Sequence, residues 1–149
     1  MSKPSRAQFA VVVHVALQRA DHLYLLRRAN TGFMDGYHAL PGGHQEHGES
    51  VEAAARRECQ EETGVELIDC RLMAVLPYRS GRHQGINFVF RSWDWRGAPG
   101  IAEPHACDLA DFYGLDDLPA PLTGWVAELL PQLRDAHAPV LFREDLYDG

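Results

Sequence analysis

The thirteen residues from Val51 to Thr63 contain neither glycine nor proline and are framed by Ser50 and Gly64. A serine just before such a run can accept a hydrogen bond from a free N–H of the first turn, and a glycine just after it can take the left-handed conformation that ends a helix. The run itself is rich in Ala, Glu and Arg, all favourable in helices, so the spacing predicts a helix over Val51–Thr63. At 100° per residue Val51, Ala54 and Ala55 form an apolar stripe, and Glu58, Glu61 and Glu62 continue that stripe through the second half.

Every local term disfavours three acids there. The like-charge pairs 58/61 and 58/62 cost a few tenths of a kcal/mol each on an exposed helix and more in a low-dielectric cleft. Glu61 and Glu62 also stand in the last turn, where the helix dipole is negative. A solvated acidic face is the bland alternative for an isolated E-x-x-E-E. These acids, however, share the apolar face and follow the Gly-rich turn Pro41-Gly42-Gly43. Arrangements that break stability rules tend to be functional. A hard divalent cation would remove the repulsion, because Mg²⁺ prefers carboxylate oxygens, water and phosphate, and a backbone carbonyl of the glycine turn could add one more oxygen.

The wider composition agrees with that view. The chain has 149 residues, 14 Lys+Arg and 21 Asp+Glu, a net charge of −7. Between Gly43 and Glu66 lie seven glutamates and two arginines, a local −5, so the rest of the chain is near neutral. Extended nucleic acid and anionic membrane are poor partners for such a surface, which lacks clustered Lys and Arg. With 46% apolar residues the chain can bury one ordinary core, and we expect a tail over residues 1–6 and a single domain over 7–149. Cys59, Cys70 and Cys107 are odd in number and lack C-x-x-C spacing, which points to free thiols and a reducing, cytoplasmic setting. The apolar run Phe9–Leu17 is too short for a membrane span and reads as a strand.

Further strands are expected over Leu23–Leu26, Tyr37–Leu40, Leu67–Leu76 and Ile86–Trp93, the last two joined by a loop at residues 80–85, with an apolar segment at Leu109–Tyr113. Pro41-Gly42-Gly43 is expected to be a sharp turn. Trp125, Val126, Leu129, Leu130 and Leu133 follow a helical period, with Pro131 set to kink or shorten that helix. Strands around two helices give a mixed α/β sandwich.

The segment Gly43–Val65 resembles the Nudix box, G-x5-E-x7-R-E-U-x-E-E-x-G-U with U aliphatic. Gly43 is followed after five residues by Glu49 and after seven more by Arg57-Glu58, then by Cys59-Gln60-Glu61-Glu62-Thr63-Gly64-Val65. All seven fixed letters match, and Cys59 stands at the first aliphatic position as a small hydrophobe. Leu40-Pro41-Gly42-Gly43 and Leu115-Asp116-Asp117-Leu118-Pro119 are also similar to family members.

The resemblance implies an α/β/α sandwich with a mixed central sheet and hydrolysis of a nucleoside diphosphate linked to another moiety. The implied cofactor is Mg²⁺, with Mn²⁺ as a substitute. It implies Glu58, Glu61, Glu62 and the Gly42 carbonyl as metal ligands, and an acid from a late loop, Glu103 or Asp108, with Glu103 preferred. Glu58 is the implied base toward water, Arg57 orients the acids, and Glu49 braces the loop or binds a further metal through water. Arg28, Gly43 and His38 are candidates for touching substrate, although relatives often carry Trp where this chain has His38. Phe33, Tyr37, Tyr78, Phe88, Trp93 and Trp95 are candidates for stacking on a base, and Arg79 for meeting a phosphate; His44 and His47 read as exposed loop residues. The expected substrate is a small nucleotide, a (d)NTP or oxidised (d)NTP, with ADP-ribose, a nucleotide sugar or a dinucleotide as the alternative. The proline and tyrosine that mark the ADP-ribose and dinucleotide subgroups would fall just beyond Pro77 and Tyr78 and are not found there. A non-catalytic nucleotide sensor is the reading from another class, and family members are often homodimers.

Overall fold

Strand β1, Ala10–Arg19, divides the molecule because its side chains alternate between two cores. Val13, Val15 and Leu17 point to one side, where Ala54, Ala55 and Cys59 of helix α1 (Val51–Thr63) complete a buried cluster with Tyr24, Leu26 and Phe90. Ala16 points to the other, against Val126 of α2 (Gly124–Glu128) and Leu133 of α3 (Leu130–Leu133), together with Leu25, Leu76 and Val89. The computed structural model describes residues 4–147, with side chains up to residue 144. Of the expected tail, residues 1–3 lie outside the described residues, and residues 4–9 carry no regular structure.

A mixed sheet fills the middle layer, as expected for an α/β/α sandwich. β1 runs parallel to β7 (His83–Ser92), and β7 is antiparallel to β6 (Arg71–Ser80). On its other edge β1 is shared. Its N-terminal half pairs with β4 (Gly42–His44), and its C-terminal end pairs with β2 (His22–Arg28), which continues to β3 (His38–Ala39) and β9 (Cys107–Gly114). Short β5 (Glu66–Leu67) pairs with β8 (Trp95–Arg96), and β10 (Leu141–Phe142) and β11 (Asp145–Tyr147) run along β6.

Several elements differ from expectation. Gly42 and Gly43 form strand β4 rather than a bare turn, because the Val13 and His14 backbone comes so close that only glycine fits at position 42. The expected strand Leu67–Leu76 is two strands separated at residues 68–70, where the Asp69 carboxylate accepts from the N–H groups of Trp93 and Asp94 at 3.1 and 2.9 Å. The loop expected at residues 80–85 shrinks to a two-residue connection, with Ser80 paired to His83. Pro131 divides the C-terminal helix into α2 and α3, since it has no N–H for an intrahelical bond and tolerates only a first turn. Among the described residues no helix is long and apolar enough to cross a membrane.

Candidate active site

α1 begins and ends on its predicted caps. Ser50 Oγ accepts from the Ala53 N–H at 3.0 Å, and Gly64, at φ 81°, donates to the Gln60 carbonyl at 2.8 Å. Its buried stripe, however, runs on through Cys59 and Thr63 rather than through all three acids. Glu58 and Glu62 lie on the border of that stripe. The Glu58 side chain is 15% exposed, whereas that of Glu61, further round the wheel, is 49% exposed and lies outside the cleft.

The cleft is about 800 Å³. Glu58, Glu62, Glu103, Gly42, Gly43 and Arg28 all line it, so six of the residues named from sequence converge although they come from β2, β4, α1 and a late loop. The backbone of β4 explains part of this. Val15 N–H bonds the Pro41 carbonyl and Gln45 N–H bonds the Val11 carbonyl, each at 2.9 Å, and bonded pairs alternate in an antiparallel ladder. Gly42, between them, therefore turns its N–H and C=O away from β1. That N–H donates to Glu62 Oε2 at 3.3 Å, which places the Gly42 carbonyl on the edge facing the acids. At Gly43 a Cβ would strike the Glu58 carboxylate, so this glycine leaves the space that Glu58 occupies.

Arg57 is the hub of the box. Nε and Nη2 donate to Glu49 at 3.1 and 2.7 Å, Nη2 also donates to the His44 carbonyl at 3.0 Å, and Nη1 donates to Glu58 at 2.9 Å and Glu61 at 3.3 Å. Glu49 further accepts from the Glu46 N–H at 2.8 Å, closing the loop onto the helix. The Arg57 guanidinium thereby holds the Glu49 carboxyl below its usual range. Burial instead raises Glu58, against the pull of Arg57. Burial also pushes Glu62 up to about 8, with the Glu58 and Glu103 charges adding to it and the Gly42 N–H opposing it.

Among the described residues no three His, Cys, Asp or Glu side chains are drawn together as a ready-made metal cage. The donor set nevertheless fits a hard divalent ion. Two desolvated carboxylates and a third acid face one cavity beside a backbone oxygen edge, with no ion pair to Glu62 or Glu103 among the described residues. An oxygen-seeking cation is the group that would offset that unpaired negative charge.

Other candidates lie elsewhere. His38 is 5% exposed, with Nδ1 3.0 Å from the Pro121 carbonyl and its ring against Tyr113, and it does not line the cleft. Asp108 is ion-paired to Arg27 at 2.7 Å, outside the cleft, which leaves Glu103 as the late-loop acid. Arg28 donates to the Phe33 carbonyl and the Thr31 hydroxyl at 2.8 and 3.2 Å, so it also ties down the loop at the cleft's mouth. Phe33 and Tyr78 line the cleft, whereas Tyr37, Phe88, Trp93, Trp95 and Arg79 do not, and of the two loop histidines His44 lines it and His47 does not. Sequence reasoning missed His14, Asn87 and Trp125, which also line the cleft, His14 lying opposite Gly42 on the neighbouring strand.

Comparison with known proteins agrees with this geometry. The NUDIX domain profile matches residues 8–133. The chain is 38% identical over 112 residues to an ADP-ribose pyrophosphatase of Methanocaldococcus jannaschii, covering 74% of this chain and 64% of that protein. It is 31% identical over 124 residues to the NAD-capped RNA hydrolase NudC of Citrobacter koseri, covering 83% of this chain and 46% of that one. The chain thus spans less than two thirds of the length of either relative. Among solved structures, a MutT NUDIX hydrolase from Burkholderia pseudomallei superposes with a TM-score of 0.79 at 30% identity, covering 85% of this chain and 98% of that chain.

Proposed function

The chain belongs to the NUDIX domain family, and from that we propose that it hydrolyses a nucleoside diphosphate linked to another moiety, a (d)NTP or oxidised (d)NTP, with Mg²⁺ or in its place Mn²⁺. The observation that carries the reading is the meeting of Glu58, Glu62 and Glu103 with the Gly42–Gly43 backbone in one cleft. Glu58, Glu62, Glu103, the Gly42 carbonyl and, on release from Arg57, Glu61 would hold the metal. When bound, the ion neutralises phosphate charge and lowers the pKa of a water. Glu58 would accept the proton of the attacking water, and its hydrogen bond from Arg57, at 2.9 Å, would fix its direction. Glu49 acts at one remove, holding Arg57, and Arg28 keeps the Thr31–Phe33 loop against the cleft.

Incubation of the protein with (d)NTPs and Mg²⁺, followed by identification of the phosphate products, tests this. Release of pyrophosphate or phosphate that EDTA abolishes is expected. Saturable nucleotide binding with no product would replace the enzyme with a sensor. The similarity to the M. jannaschii ADP-ribose pyrophosphatase supports a second reading, ADP-ribose as substrate, in which AMP and ribose phosphate would appear instead.

Two smaller predictions follow from the same geometry. Gly43→Ala is expected to displace the Glu58 carboxylate and lower kcat by roughly tenfold to a hundredfold, the usual cost of misplacing a catalytic group by about 1 Å. Its melting temperature should fall only slightly, because a Glu side chain can swing aside. Mg²⁺ affinity should also rise with pH up to about 8 and level off above it, because a proton competes for Glu62. Calorimetric titration of Mg²⁺ between pH 6 and 9 reads this, and a flat profile would remove Glu62 from the ligand set.

A further inference from the structure

The cleft extends well beyond the acids. Val12 and His14 of β1, Asn87 of β7, and Leu76 and Tyr78 of β6 line one continuous face of the sheet, and Trp125 of α2 covers it. From β6 to β4 is three inter-strand steps, about 14 Å at the usual spacing. An extended nucleotide with its phosphates at the acids would lay its base along this face, past His14, which stands opposite Gly42.

The wall there carries a fixed polar pair. His14 Nε2 is 2.8 Å from Asn87 Oδ1. A carboxamide oxygen only accepts, so that ring nitrogen carries the hydrogen. The His14 ring is itself held edge-on against Trp125, 4.6 Å between centroids. With Oδ1 engaged, the Asn87 amide presents its N–H₂ end, to which no described residue is bonded. Tyr78 stands beside it, and a Cβ at Gly85 would be only 2.8 Å from the Tyr78 hydroxyl, so the glycine lets that ring lie low over the sheet. Flat apolar surface with one oriented donor is a site for a ring bearing an acceptor.

We propose that Asn87, oriented by His14, reads the nucleobase and selects bases that present a carbonyl oxygen, such as guanine, hypoxanthine or uracil, over adenine and cytosine, which present an amino group. This rests on the nucleotide-hydrolase reading above, and it weighs against ADP-ribose. An amino group facing the Asn87 amide would set donor against donor and leave both unpaired, the kind of mismatch by which sites discriminate most strongly.

ITP and ATP form the cleanest pair, since their bases differ at position 6 and the adjoining ring nitrogen. The test measures kcat/KM for both with Mg²⁺, and their equilibrium binding with Ca²⁺. ITP should be preferred by roughly tenfold or more. Asn87→Asp, which can only accept when ionised, should invert that ratio, and His14→Phe, which keeps the edge contact to Trp125 but frees the carboxamide to turn, should bring it towards one. A merely structural role would lower both substrates together and leave the ratio where it was. Equal or greater use of ATP by the unaltered protein, or an unchanged ratio in Asn87→Asp, overturns the inference while the hydrolase reading stands. Binding with the predicted ratio but no turnover overturns the hydrolase reading alone, and failure of both nucleotides to bind overturns both.

Discussion

Glu62→Gln is expected to reduce metal-dependent turnover by roughly a hundredfold or more while making the metal-free protein more stable above neutral pH. The loss follows from removing one charged oxygen ligand at the point where phosphate charge must be offset, an electrostatic contribution worth several kcal/mol in a desolvated site. The gain follows from linkage. Burial lifts the Glu62 carboxyl to about 8 from an ordinary value of 4.5, so between those values the folded protein holds a proton that the unfolded chain has released. Stability contributed by that proton is complete below pH 4.5 and disappears as pH rises through about 8. Glutamine has no proton to lose, and it relieves the repulsion with Glu58 and Glu103. At pH 9 in EDTA the variant should therefore be more stable than the parent by on the order of a few kcal/mol and unfold at higher temperature, and at pH 4 the two should coincide. Saturating Mg²⁺ should reverse the order at pH 9, because only the parent gains the full binding energy. Thermal melts at two pH values with and without metal, beside a turnover assay, read all of this. Undiminished turnover in the variant would sink the metal-site assignment.

The divergence between what sequence showed and what it hid follows the range of the interactions. α1, its Ser50 and Gly64 caps and the spacing of Glu49, Arg57 and Glu58 are local facts, decided within a few residues, and all were legible. The wheel was right about Glu58 and Glu62 and wrong about Glu61, because the buried face runs through Cys59 and Thr63, with Cys59 clustering with Val65 and Leu67, and leaves Glu61 outside it. β4 was hidden because Pro-Gly-Gly looks like a turn, and only the approach of Val13 and His14 makes a strand of it. His14 and Asn87 are separated by 73 positions and meet only because β1 and β7 are parallel neighbours, a pairing no local pattern announces. Trp125 looked like core, and it is half-buried core that also faces the cleft.

Arg91→Met should do the opposite of Glu62→Gln, leaving any turnover of the folded protein intact while costing about 3–5 kcal/mol of stability, since several buried acceptors lose their donor at once. Arg91 is buried, and none of its described hydrogen bonds goes to a carboxylate. Nε and Nη2 donate to Gln18 Oε1 at 3.0 and 2.7 Å, Nη1 to the carbonyls of Gln132 and Asp135 at 2.8 and 3.0 Å, and Nη2 to that of Leu133 at 3.2 Å. Its charge lies over Trp93, 4.4 Å from the ring centroid. These carbonyls lie at and just beyond the end of α3, a helix that Pro131 has cut short, where a cation also opposes the negative end of the helix dipole. A planar group with five donors can serve four acceptors at once and a lysine cannot, so Arg91→Lys should recover less than half of the loss. Removing the guanidinium strands Gln18 as well, whose own amide bonds the Leu133 carbonyl at 2.8 Å. The double variant Gln18→Leu, Arg91→Met should therefore cost less than the sum of the two single changes, because each single change leaves part of the other partner's hydrogen-bonding capacity buried and unmet. At a few degrees' loss per kcal/mol, the melting temperature of Arg91→Met should drop by roughly 10 °C, with kcat at low temperature unchanged. A drop under about 2 °C would mean that water replaces the guanidinium at the end of α3 at little cost, and that the two halves of the broken helix are held by their apolar contacts alone.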